Sequence, residues 1–225
     1  MNYTLGVDLG TRQDYSALVL LRRSERLQEP RALPGTWQAE EERRITYSVY
    51  EVPLLERLPL GVEYRHVISR IQQILEFPQL YRQHVDIVVD ATGVGVPVLQ
   101  QMYAARMNVI GVTITAGTSV NQNDSGYTVP KRDLVSSLQV VAQSNRLKVS
   151  PRLKLAEEFK GEIQVFRRRP TTARNETYEA DIGEHDDLVL ACAIAVWYAD
   201  RAYGYTAPQP LKSEELYNPL RVIRD

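Results

Sequence analysis

Leu5, Val7 and Leu9 alternate with Thr4, Gly6 and Asp8, and this period of two predicts a first strand over residues 3–9. Gly10 to Asp14 has turn composition, and the apolar run 16–21 behind it predicts a second strand in hairpin with the first. Residues 24–43 carry charge, two prolines and a glycine, and read as an exposed loop. Ile45, Tyr47 and Val49 alternate again, a third strand running to about Leu55. Tyr64, Val67, Ile68, Ile71, Ile74 and Leu75 then fall on one face of a helix. The short apolar run 85–89 closes on Asp90, as a buried parallel strand would. A helix over 96–107 and a strand over 109–115 complete an alternation that argues for parallel β-α-β crossovers.

Residues 116–129 are polar and aperiodic and read as a loop, long enough to be functional. Behind Pro130, the positions Leu134, Leu138, Val141 and Ala142 predict a helix, and Ala156, Phe159, Ile163 and Phe166 predict another. The polar stretch 171–180 reads as a hairpin. His185 to about Tyr203 is the last helix, apolar on nearly every side from Leu188 to Trp197 and so central to the packing. The predicted fold is α/β, a mixed five-stranded sheet with helices on both faces. It occupies residues 1–205, with 206–225 a C-terminal tail or linker.

Composition narrows the class. The chain has 225 residues, 44% hydrophobic and 24% charged, which is globular and excludes disorder, collagen and coiled coil. One cysteine, Cys192, cannot form an internal disulfide or a multi-thiolate zinc site, so a reduced, cytoplasmic protein is expected. No apolar run approaches the ~20 residues that span a bilayer, and the N-terminus lacks the pattern of a signal peptide. Net charge is -1, from 27 basic and 28 acidic residues. A nucleic-acid partner would therefore be held by local contacts, by another domain or through metal ions.

Four acidic residues, at three places in the chain, stand where carboxylates are expensive. Asp8 lies inside an apolar strand, Asp90 closes VDIVVD, and Asp186 and Asp187 open a helix that is otherwise core. An unpaired buried carboxylate costs several kcal/mol or takes up a proton. If the first strand and the Asp90 strand are parallel neighbours, their ends meet at one edge of the sheet, where ligand sites of open α/β sheets gather. Oxygen donors alone suit Mg2+ or Mn2+ rather than zinc. Two such ions about 4 Å apart suit phosphodiester hydrolysis. Each residue also has an ordinary explanation: a turn for Asp8, an Asx turn for Asp90, a helix cap for Asp186 or Asp187.

The segments GVDLGTRQDYSALVL, VDIVVDATGVGVPVL, VTITAG, YTVPKRDLV and GEHDDLVLACAIAVW resemble, in this order, the nuclease domain of tailed-phage large terminase subunits over residues 3–200. The resemblance implies an RNase H-like fold of the resolvase–integrase superfamily and a two-metal DNA endonuclease that cuts concatemeric phage DNA during genome packaging. It places the family's first-strand acid at Asp8, its fourth-strand acid at Asp90 and the acids of its last helix at Asp186 and Asp187. The DxG of the first strand is weak by itself; GEHDDLVLA behind VDATGVG is much more specific. A full large terminase carries an ATPase motor, and this chain has no G-x-x-x-x-G-K-[ST] loop. The implied partners are double-stranded DNA, a packaging ATPase domain or subunit, a small terminase and a portal, in the host cytoplasm and with no membrane.

Other residues have supporting readings. Lys131 can reach a scissile phosphate or a catalytic carboxylate, and His185 can support the site as ligand, phosphate contact or cap. Arg12, Arg132, Arg167 and Arg168 are candidate DNA contacts, or solvated charges. Gly93 and Gly95 suit either a phosphate approach or a tight strand-to-helix turn, Cys192 and Trp197 read as core, and His66 and His84 have no evident partner. Two other classes compete. In an actin-like phosphotransferase, DLGT and its hairpin would cradle ATP phosphates, but such folds need more chain and leave Asp186 and Asp187 without a role. A non-catalytic DNA-binding packaging module would keep the fold and be indifferent to Mg2+ and Mn2+.

Overall fold

The computed structural model describes residues 2–10, 14–27, 46–93, 95–124, 126–168 and 186–204. Arg12, His185, the hairpin expected over 171–180 and the tail over 206–225 lie outside them; of the loop expected over 24–43, residues 24–27 are strand instead and 28–43 lie outside the described residues.

The first three strands, β1 (Asn2–Asp8), β2 (Ala17–Leu27) and β3 (Thr46–Arg57), form an antiparallel meander. Helix α1 (Tyr64–Leu75) leads to β4 (Val85–Asp90), which pairs parallel to β1 on its free side. Helix α2 (Gly95–Ala104) leads to β5 (Val109–Thr115), parallel to β4. The central order β3-β2-β1-β4-β5 is the expected mixed five-stranded sheet.

The sheet has eight strands rather than five. Residues 116–129 are not simply a loop: β6 (Asn121–Asn123) and β7 (Gly126–Pro130) form a hairpin there, with β7 parallel to β5. All three β6 residues are exposed, so no apolar alternation marks the strand. Backbone proximity holds β7 instead: a Cβ on Gly126 would lie 1.9 Å from the Gly111 carbonyl oxygen. On the opposite edge β8 (Leu147–Val149) adds to β3. Its three residues are too few to show a period. Helices α3 (Lys131–Gln143), α4 (Ala156–Arg168) and α5 (Asp187–Tyr203) complete the chain.

Alternation along β1 sends its side chains to two cores. Leu5 and Val7 join Ile87 and Val89 against Val67, Ile71 and Ile74 of α1 and Met102 of α2. The other face, with Val19, Val88 and Val112, packs against α5, Leu134 and Leu138 of α3 and Phe159 of α4. Eleven residues of α5 are buried, which accounts for its lack of a polar side.

Gly6 sets how α5 lies. It shares the α5 face with Asp8, and a Cβ there would stand 2.0 Å from the Ala191 carbonyl oxygen. Arg23, paired with Asn2 across β1 and β2, donates to the carbonyl oxygens of Tyr203 at 3.3 Å and Gly204 at 2.8 Å. The C-terminus of α5 therefore lies over the start of β1 and its N-terminus over the end of β1. We expect Gly6→Ala to destabilise the protein by about 1–3 kcal/mol or more, the range of overpacked cores. Gly161→Ala, with nothing within 4 Å of the added Cβ, is expected to be neutral or stabilising. Urea unfolding of both variants checks this.

Candidate functional site

One level of the sheet carries the site. Arg57 of β3 is the register partner of Ala17, and Ala17 is the partner of Asp8. Val7 partners Val89, so Asp8 and Asp90, each the next residue, stand side by side at the carboxyl ends of adjacent parallel strands, about 4.8 Å apart in backbone. Arg57, Ala17, Asp8 and Asp90 thus form a row on the face that α5 covers. Ala191 is four residues into α5 from Asp187, a rise of about 6 Å, and Asp8 is two residues beyond Gly6, again about 6.6 Å. The Gly6–Ala191 approach therefore delivers the first turn of α5 beside Asp8.

Electrostatics records the convergence. Loss of hydration raises the half-buried Asp8 carboxyl well above the usual range, and the charges of Asp90, Asp187, Asp186 and Asp14 raise it further. Burial also raises Asp90, against the pull of Thr92 and of Lys131. The Thr92 N–H donates to Asp90 Oδ1 at 2.8 Å, so the Asx turn exists and fixes the carboxylate.

The two acids of α5 are held differently. Asp186 occupies the N-cap position, but its side chain makes no capping bond. Its Oδ2 lies 3.7 Å from Lys131 Nζ. Asp187 is buried, and its Oδ2 lies 2.9 Å from Arg57 Nε. The first turn of α5 is capped from outside: Glu162 of α4 accepts the Val189 N–H at 3.0 Å. Glu162 also accepts from Arg57 Nη2, and the Arg57 guanidinium lies 5.2 Å over the Tyr15 ring. Burial pushes the Glu162 carboxyl up to about 7, with the Val189 N–H and Arg57 pulling it down.

Asp8, Asp90, Asp186, Asp187 and Lys131 thus meet at one edge of the sheet. Arg132 points elsewhere: it donates to the Thr118 carbonyl oxygen at 2.8 Å and pairs with Asp133 at 3.5 Å. Arg167 and Arg168 end α4, away from its capping residue by more than a turn. Gly93 has φ +76° with open space beside it, which suits a turn. Cys192 is fully buried and Trp197 packs edge-on against Tyr127 at 5.3 Å, both as core. His84, read without a partner, lies 3.0 Å from Asp86.

Arg57 and Glu162 were not legible as site residues. Arg57 ends a strand in a charged stretch, and Glu162 sits among the ordinary charges of an amphipathic helix. Only the register of β3 and the docking of α4 bring them to Asp187. Among the described residues, no three His, Cys, Asp or Glu side chains stand close enough together to enclose a metal ion. None of the described helices is long and apolar enough to cross a membrane.

No family model and no curated protein matches the chain. Among solved structures it is similar to the large terminase nuclease from thermophilic phage G20c with bound zinc, at 18% identity over 86% of this chain and 79% of that one, TM-score 0.48. It is also similar to Thermus thermophilus RuvC, at 13% identity over 89% and 94%, TM-score 0.35. RuvC in complex with a Holliday junction substrate matches at 11% identity over 91% and 98%, TM-score 0.37.

The raised carboxyls make stability depend on pH. A carboxyl whose folded pKa exceeds its unfolded value stabilises the fold below the unfolded value, and that contribution is lost as pH rises through the folded one. For Glu162 the window runs from 4.5 to about 7, and Asp8 and Asp90 shift in the same direction. In EDTA, the melting temperature is expected to fall between pH 5 and pH 8. Glu162→Gln is expected to flatten that slope without removing it. A melting temperature that rises over this range would contradict the electrostatics.

Proposed function

We propose that the chain is a divalent-metal-dependent endonuclease that hydrolyses phosphodiester bonds of double-stranded DNA, working as the nuclease of a phage packaging terminase. The observation that carries this is the row at the sheet edge: Asp8 and Asp90 side by side on adjacent parallel strands, with Asp186 and Asp187 set above them by α5.

The donor set fits a hard cation. It offers carboxylate oxygens without thiolate, and the Asp8 carboxyl is raised first by burial and then by the neighbouring aspartates, a setting that a bound cation would relieve. In this reading Asp8, Asp90, Asp186 and Asp187 would hold Mg2+ or Mn2+, as two ions if the site works by the two-metal scheme. When bound, the metal supplies an activated water and charge neutralisation at the phosphate. Asp8 and Asp90 form the rigid half of the site, because each is fixed by a strand. Asp186 and Asp187 form the other half, placed by the capped first turn of α5. Lys131, beside Asp186, offers a positive charge to the scissile phosphate.

A near-neutral chain binds DNA through local contacts. Arg132 is half-exposed at the start of α3, on the same edge as Lys131. In this reading Arg132, with Arg12, Arg167 and Arg168, contacts the DNA backbone and His185 supports the acids. The packaging ATPase, small terminase and portal would be partners, in the host cytoplasm.

Plasmid digestion tests the proposal. Supercoiled DNA is expected to be cut with Mn2+ or Mg2+ and left intact with EDTA. Asp8→Ala and Asp90→Ala are expected to lose about 100-fold or more in rate while folding normally, the order lost with one stabiliser of transition-state charge. An Asp8→Ala protein that cuts as fast as the parent would refute the assignment.

A further inference from the structure

The carboxylates at the sheet edge already have a cation among them, and it belongs to the chain. We propose that Arg57 is the resident counter-ion of this nest: in the metal-free protein it holds Asp187, and a divalent cation binds by displacing it from Asp187. This rests on the metal-dependent reading above and adds a residue that controls metal entry.

The placement is specific. Arg57 is the last residue of β3, in the same row as Asp8, and the residue between them is Ala17. Ala17 is fully buried and presents only a methyl group between them, and Arg57 Nε lies 2.9 Å from Asp187 Oδ2. Its side chain is 16% exposed and that of Asp187 is 8% exposed, so water screens the pair little. An arginine cannot release the pair by losing its proton. It has to move.

The structure also supplies somewhere for it to stay. Glu162 bonds to Arg57 through Nη2, a different nitrogen from the Nε that faces Asp187. Glu162 is itself fixed by the Val189 N–H at 3.0 Å. The Tyr15 ring lies under the guanidinium at 5.2 Å. When Asp187 turns to a metal, Arg57 keeps Glu162 and Tyr15, and no charge is left buried alone. Lys131 stands in the same relation to Asp186, at a looser 3.7 Å. Both α5 acids are thus held by side-chain cations, and no three acids among the described residues close around an ion.

Titration calorimetry with MnCl2 at pH 7 tests the inference without reference to DNA cutting. Arg57→Lys is the informative variant. It keeps the charge, but a compact ammonium cannot span Asp187 and Glu162 together. We expect it to bind Mn2+ more tightly than the parent by roughly fivefold or more, at least the size of one surface ion pair. Arg57→Met, which removes the charge, is expected to bind more tightly still and to melt lower in EDTA. Glu162→Gln, which removes the carboxylate that competes with Asp187 for Arg57, is expected to bind Mn2+ more weakly. A folded Arg57→Lys protein with the parent's affinity would overturn the role of Arg57 and leave the nuclease reading standing. A parent protein that binds no Mn2+ would instead overturn the nuclease reading itself.

Discussion

The close approach of α5 to β1 at Gly6 is the constraint on which the rest of the structure depends. A helix backbone can lie against a strand at that distance only where the strand presents no side chain. Polar contacts at the far end then fix how far the helix slides. Arg23 donates to the carbonyls that end α5, Tyr50 donates to Asp200, and Tyr203 donates to Asp86. With one end anchored and the middle pressed onto Gly6, the first turn has one position, over the end of β1.

That position has an electrostatic cost. Asp8, Asp90, Asp186, Asp187 and Glu162 gather at one sheet edge, and the raised carboxyls of Asp8, Asp90 and Glu162 record it. Arg57 and Lys131 offset part of the negative charge. A fold selected for stability alone has cheaper ways to fill this edge, since buried ion pairs seldom outperform well-packed apolar groups. The arrangement makes chemical sense if the remaining charge awaits a cation.

Period and spacing carried most of the fold. The alternation in β1, the apolar run of β4 and the amphipathic stripe of α1 each announce an element, and their order implies the parallel crossovers. The edge strands were not legible. β6 exposes all its side chains, and β8 is too short to show a period, so both exist through backbone pairing that side-chain patterns do not encode. The acids were legible because a carboxylate inside an apolar run is anomalous. Arg57 and Glu162 are ordinary where they occur, a charge at a strand end and a charge on a helix. Their importance comes from strand register and helix docking, which sequence spacing does not reveal. The capping of α5 shows the same limit: Asp186 has the right residue type at the N-cap, yet the bond comes from Glu162 on another helix.

If these acids form one cation site, anomalous diffraction from crystals soaked in MnCl2 near pH 7 will locate the ion. A manganese peak bridging the carboxylates of Asp8 and Asp90 is expected, with Asp187 turned away from Arg57 toward the ion. Manganese absent from this edge at saturating concentration, or Asp8 and Asp90 directed to opposite faces of the sheet, would contradict a shared site.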